Sequence, residues 1–217
     1  MFNPVFRLNT PANLGLQAIA FSLHALDNQH YSSALKNSLT RLRGLFDIQH
    51  SLRQMEGFNA LRVRMGRSPK RFPASPQALL DHYLRKGALR SIAPIVELYN
   101  QWSLNSGLSI GAHDLQRLHL PVSLTLTQGS EPFHGLGSAT SQILPNGEYA
   151  YIDARGQVLC RMEYRQCAAT ALTPESSTVL FIVQGHPGTE PEYLQQVARD
   201  LKADLMHCCA SNLSRVA

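Results

Sequence analysis

The sequence predicts an α/β (α+β) fold in which a mixed, mainly antiparallel sheet is layered with helices. Three observations carry this. Leucines fall at helical spacing through most of the first half, short alternating or continuous apolar runs follow between residues 122 and 184, and an amphipathic pattern closes the chain. At 217 residues the chain is long enough to bury a core without help from metals or disulfides.

Taken in order, "LQAIAF" at 16–21 reads as a short strand. "HYSSALKNSLTRLRGLFDIQHSLRQ" then places Leu35, Leu39, Leu42, Phe46 and Ile48 near helical spacing, which predicts one long amphipathic helix. "VRMGRSPKRFPASP" carries Gly66, Pro69, Pro73 and Pro76, all unfit for a helix interior, and is a loop. In "SPQALLDHYLRKG", Ser75 is the expected cap, Pro76 the first helical residue, Leu79, Leu80 and Leu84 the apolar face, and Gly87 the stop. "IAPIVELYNQWSL" suits a mostly buried helix closed by "NSG" at 105–107.

"PVSLTLTQG" alternates at Val122, Leu124 and Leu126 with the period of a strand, and "EYAYIDARGQVLCRMEYR" reads as two strands about an "ARGQ" turn. "TVLFIVQG" is a continuous apolar strand and "EPEYLQQVARDLKADLMHC" the last helix. No internal repeat divides the chain. Residues 1–60 are expected to supply a strand and the long helix to the same compact unit as 61–217.

Composition excludes several classes. The longest apolar runs fall far short of the roughly 20 residues needed to cross a bilayer, so no membrane partner is expected. "MFNPVFRLNT" lacks a basic segment followed by an apolar stretch and a cleavage site, so the cytoplasm is the expected location. The four cysteines show neither CxxC pairing nor the density of a disulfide scaffold and read as free thiols. No GxGxxG, Walker, HExxH or GxSxG motif is present, and His113 and His119 lack a third ligand at a sensible spacing. No metal and no cofactor are expected. Cys167, two residues after Arg165, invites a nucleophile reading, but no histidine is assigned to it and a buried structural thiol is favoured.

The formal net charge of +5 is concentrated. Arg53, Arg62, Arg64, Arg67, Lys70, Arg71, Arg85, Lys86 and Arg90 face only Glu56 and Asp81 between residues 53 and 90. The stretch "RVRMGRSPKR", with Arg62, Arg64, Arg67, Lys70 and Arg71, reads either as a surface contacting a nucleic-acid backbone or as a solvated loop.

"CRMEYRQCAAT" gathers polar groups at the end of a strand that should be closing a core. Strand alternation would put Cys160, Met162, Tyr164 and Gln166 on one face and Arg161, Glu163, Arg165 and Cys167 on the other. The charged face can hold an amino acid or nucleotide, Glu163 taking an ammonium and an arginine taking a carboxyl or phosphate oxygen. It can equally be the ion-paired solvent face of an edge strand. Asn100 either orients a ligand or caps a loop. His113 with Asp114 forms either an oriented general base or a surface turn pair, Gly107 and Gly111 are foremost turn glycines, and Thr170 either bonds a water or ends the strand.

The order "RMGRSPKRFPASPQALLDHYLRKGALRSIAPIVELYNQWSLNSGLSIGAHDL", "EPFHGLG", "GEYAYIDARGQVLCRMEYRQCAAT" and "TPESSTVLFIVQG" resembles freestanding relatives of the B3/B4 domain, the tRNA-editing module of the phenylalanyl-tRNA synthetase beta subunit. The likeness runs over residues 62–207. It implies a B3/B4-like fold and hydrolysis, in trans, of the ester joining tRNA to a wrongly attached amino acid. It also implies an aminoacylated tRNA 3' end as partner.

Where the synthetase has a histidine this chain has Gly111, with His113 two residues along, and Ala168 stands near the synthetase's acidic position. The freestanding pattern "RWNWRQ" is matched by "RMEYRQ", keeping Arg161, Arg165 and Gln166 and placing Glu163 for asparagine. An aminoacyl ester needs only a positioned water, oxyanion donors and exclusion of bulk solvent. On this reading Arg165, Glu163 and His113 are the catalytic group. Asn100, Gly111, Asp114, Arg161, Gln166 and Thr170 bind substrate, and the basic stretch holds the tRNA backbone. The departures at Gly111 and Ala168 keep a second reading open, a tRNA- or amino-acid-binding module without the chemistry.

Overall fold

The computed structural model describes residues 5–211. Residues 1–4, part of the segment on which the amino-terminal reading rests, and 212–217, the end of the second predicted segment, lie outside them. In chain order the elements are β1 (Phe6–Leu8), β2 (Gln17–Leu23), α1 (Ser33–Gly44), α2 (Ile48–Arg64), α3 (Ser75–Lys86), α4 (Pro94–Ser106), β3 (Ser109–Asp114), β4 (Val122–Leu126), β5 (Pro132–Phe133), β6 (Gln142–Ile143), β7 (Tyr149–Ile152), β8 (Val158–Arg161), β9 (Arg165–Gln166), β10 (Val179–Gly185) and α5 (Pro191–Cys208).

The apolar run β10 organises the molecule. It pairs antiparallel with β2 and with β3, so that Ile182 lies between Ala20 and Gly111. Val179, Phe181 and Val183 point toward Leu35, Leu98 and Leu201 of α1, α4 and α5. Leu180 and Ile182 point the other way, onto Val122, Leu124, Tyr149, Tyr151 and Leu159. Both faces of β10 are therefore buried, which is why its sequence is continuous rather than alternating. Each of its fully buried side chains contributes about 1.5–3 kcal/mol.

The strands thus divide between two principal sheets. The second has the order β1-β4-β7-β8-β9, with β1 and β4 parallel and the remaining pairs antiparallel. Its outer face is covered by the small β5-β6 pair through Phe133, Leu144, Ala150 and Val158. The result is an α+β fold of one mixed and two antiparallel sheets with helices layered on the β2-β10-β3 sheet. All four cysteines are free thiols. Among the described residues, no helix is long and apolar enough to cross a membrane.

Two local expectations are corrected. The single long helix is two, because Asp47 accepts from the backbone N–H of Gln49 (2.8 Å) and His50 (3.2 Å) and caps a new helix. The leucine periodicity running into Phe46 concealed that signal. Ser75 does not cap α3 either. It is the first helical residue, Ala74 holds the cap position, and the Ser75 hydroxyl lies 2.7 Å from the Ser109 hydroxyl instead. The glycine stops hold: Gly87 and Gly107 are left-handed with φ of 73° and 67°.

Gly57 sits in mid-helix, where alanine is ordinarily preferred by about 1 kcal/mol. Here the His186 ring lies against it, its Nε2 2.8 Å from the Gln54 carbonyl oxygen, and a Cβ at residue 57 would fall 2.1 Å from His186 Nδ1. Gly57→Ala is therefore expected to destabilise by about 1–3 kcal/mol, reversing the propensity. The urea midpoint checks this.

Candidate functional site

The polar segment after β8 does not continue as a strand. Met162 and Glu163 both take positive φ, 48° and 39°, and the Tyr164 N–H donates to the Arg161 carbonyl at 2.9 Å, so residues 161–164 form a tight hairpin turn. Two central residues with φ > 0 are the mark of a type I′ turn, a place normally given to Asn-Gly. The hairpin returns as β9, with Cys160 opposite Gln166 and Arg161 opposite Arg165. The predicted face sharing Arg161, Glu163, Arg165 and Cys167 is therefore not formed. The turn breaks the alternation and sends Glu163 inward while Arg161 and Arg165 serve the other side.

What holds two non-glycine residues in this conformation is Arg62. Its side chain is fully buried, donates from Nε to the Phe72 carbonyl (2.8 Å), and donates from Nη1 to the Tyr149 hydroxyl and from Nη2 to the Met162 carbonyl and Glu163 Oε1. Tyr149 donates to Glu163 Oε2 at 2.6 Å, and Gln184 donates to the same oxygen at 3.2 Å while accepting from the Tyr151 hydroxyl. Burial pushes the Glu163 carboxyl above the usual carboxylate range, with Arg62 and the surrounding donors pulling the other way. Arg62 thus leaves the predicted backbone-contacting surface, since a fully buried guanidinium cannot meet a phosphate.

Between the β2-β10-β3 sheet and this hairpin lies a hollow of about 170 Å³, lined by Ser75, Tyr99, Asn100, Ser109, Ile110, Gly111, His113, Tyr151, Cys160, Glu163, Tyr164, Gln166 and Ile182. His113 Nδ1 is 2.8 Å from the Thr170 hydroxyl, and the Gln166 amide donates to the Ala112 carbonyl at 2.7 Å. Burial lowers the His113 pKa to about 4, so the ring is neutral at pH 7. Burial also holds the Cys160 thiol and Tyr99 hydroxyl in their protonated forms. Among the described residues, the Asn100 amide, the Tyr99 hydroxyl and His113 Nε2 have no hydrogen-bond partner in the protein. Every side-chain nitrogen and oxygen that is fully shut off from solvent among those residues has one. The unengaged groups therefore face open space, where a ligand would meet them.

Gly111 is not a turn glycine. It lies in β3, where a Cβ would meet nothing within 4 Å and would enter the hollow. Gly111→Val is expected to leave the melting temperature within about 2 °C, a change under about 0.5 kcal/mol, while abolishing binding of any ligand that fills the hollow. Calorimetry and titration on one preparation read both.

Beyond Tyr164 a wider cleft of about 700 Å³ opens, lined by Arg67, Arg71, Phe72, Arg161, Tyr164 and Arg165 among others. Tyr164 lines both spaces. Glu148, which is buried, receives Arg161 through Nε at 2.6 Å and Nη2 at 2.8 Å, and also Arg67 Nε. Burial works against its charge, but the two guanidiniums hold its carboxyl below the usual range. Arg71 is exposed, with its guanidinium carbon 5.5 Å from the Phe72 ring centroid.

The hollow brings together Asn100, Gly111, His113, Glu163 and Gln166 of the predicted site. Arg161 and Arg165 belong to the cleft, and Thr170 reaches the hollow only through His113. Asp114 does not orient His113. Its carboxylate accepts from the Gln116 N–H (3.0 Å) and the Ser176 hydroxyl (2.6 Å), on the opposite face of β3. Of the basic stretch, Arg67 and Arg71 line the cleft, Lys70 is exposed, and Arg64 is exposed and donates to the Asn13 carbonyl at 3.1 Å. Tyr99, Cys160 and Tyr164 were absent from the predicted group. Tyr99 adjoins Asn100 in α4, but helical spacing reads Tyr99 itself as core.

The fold and site together define an α+β domain with a small hollow that carries polar groups beside a cationic cleft. The sequence pattern of the B3/4 domain matches residues 59–205, and the chain belongs to that family. An N-terminal fragment of the phenylalanyl-tRNA synthetase beta subunit from Pyrococcus horikoshii is a structural neighbour at 12% identity and a TM-score of 0.47, covering 93% of this chain and 49% of that one. The chain thus spans about half the length of that fragment. No curated protein matches the sequence.

Proposed function

We propose that the protein binds the aminoacylated 3' end of tRNA and hydrolyses its ester, the hollow taking the acyl group and the cleft the nucleotide end. The observation that carries this is the shared wall: Tyr164 separates a small space with unengaged polar groups from a larger arginine-lined one. An ester at that boundary has its carbonyl beside the hollow and its phosphates beside cations. Membership of the B3/4 family supports a tRNA-related reading.

In this mechanism neutral His113 accepts a proton from water through Nε2, its Nδ1 being engaged by Thr170. The Asn100 amide and Tyr99 hydroxyl supply hydrogen bonds to the oxyanion as it develops. The proton passes to the leaving ribose oxygen. Glu163 is engaged by Arg62, Tyr149 and Gln184 and shapes the wall of the hollow rather than acting as base. Arg165, outside the hollow, contributes to nucleotide binding rather than to the chemical step.

Loss of ester from a panel of aminoacyl-tRNAs tests this. Asn100→Ala and His113→Gln are each expected to lower kcat/KM about 100-fold with tRNA binding retained. Arg71→Ala is expected to weaken binding and reduce its salt slope by about 1. Binding without turnover by the wild type would instead identify a binding module that has lost the chemistry.

A further inference from the structure

Arg165 differs from the other arginines of the cleft in how its guanidinium is held. Its carbon lies 5.3 Å from the Tyr164 ring centroid, with Nη1 donating to the Leu136 carbonyl at 3.0 Å and Nη2 near the Tyr164 hydroxyl at 3.4 Å. Two of its N–H donors thus meet protein acceptors, which holds its orientation over the ring. The side chain is nonetheless exposed and lines the cleft. A guanidinium held in this way presents a flat cationic surface, and bases stack on such planes. Tyr164 in turn packs edge-on with Phe72, centroids 5.4 Å apart, which anchors the pair.

We propose that Arg165 lying on Tyr164 is a stacking platform for a nucleobase, placed where the cleft meets the hollow. This rests on the reading above and deepens it. The ligand is a nucleic-acid end whose terminal base stacks on Arg165, while its phosphates are met by Arg71. Arg67 and Arg161 share the single charge of Glu148. Recognition of the end is then aromatic and cationic together, and a purine is held better than an absent base.

The test is a fluorescence titration of the intact protein with a short single-stranded RNA carrying 2-aminopurine as its 3'-terminal base. A second RNA, abasic at that nucleotide, is the comparison. The wild type is expected to quench the probe and to bind the abasic RNA about tenfold more weakly. Arg165→Lys, which keeps the charge and loses the plane, is expected to erase both the quench and that difference. Its melting temperature and the salt slope of binding should be unchanged. Equal binding of the two RNAs by the wild type, or a lysine variant that still quenches and discriminates, overturns the platform while leaving RNA binding intact. Failure to bind either RNA at low salt overturns the platform and the underlying reading together.

Discussion

Arg62→Met is expected to destabilise the protein by about 3–5 kcal/mol, because it strands a buried carboxylate without its partner. Arg62 is fully buried and Glu163 nearly so, and the guanidinium also holds the Met162 carbonyl at a turn with two non-glycine residues at positive φ. Each such residue carries of order 1–3 kcal/mol of strain, so removing the clamp releases the turn as well as the charge. Two further measurements separate these contributions. Adding Glu163→Gln to Arg62→Met is expected to recover the part due to the unpaired charge and to leave the part due to the turn. The penalty of the single variant should also shrink on acidification. Without Arg62 the folded-state pKa of Glu163 rises further above its unfolded value, so protonation below that value removes the cost and it returns as pH increases. Urea denaturation of the wild type, the Arg62→Met and Glu163→Gln single variants and the double variant at pH 7 and pH 5 reads this. A single variant with wild-type stability would show that the pair is not the clamp.

Lowering the pH from 7 to 4 is expected to cost about 3 kcal/mol through His113 alone. Burial depresses its folded-state pKa to about 4, against an unfolded value of about 6.5. Between those values the unfolded chain binds a proton that the folded one does not. The contribution is therefore whole above about pH 6.5 and lost progressively toward pH 4. His113→Gln removes the titration, so the stability gap between wild type and variant should shift by that amount over this window. Parallel pH profiles would contradict it. The same depression keeps the ring a proton acceptor in weak acid, so ester hydrolysis above the spontaneous rate should persist down to about pH 5.

Most elements were legible because their signals are local. Pro76 marks the first turn of α3 and Gly87 its stop, Gly107 stops α4, and the apolar run of β10 stands without competition. The division of the strands into two sheets was not, since pairing depends on contacts far apart in sequence. The site shows the same contrast. Asn100, Gly111, His113, Glu163 and Gln166 converge on the hollow. The grouping by strand face failed because Met162 and Glu163 turn the chain where composition offers neither Asn nor Gly. Arg62 looked like its basic neighbours, and only its 101-residue separation from Glu163, closed by the fold, makes it a core residue. His113 and Asp114, adjacent in sequence, diverge because neighbours in a strand face opposite ways.

The most direct measurement is a structure of the protein bound to a non-hydrolysable 3'-aminoacylamido analogue of adenosine. Acyl density beside Asn100 and His113, with the nucleoside in the arginine-lined cleft across Tyr164, is the predicted result. An analogue seated elsewhere, or with its acyl group in the cleft and its base in the hollow, would contradict the account.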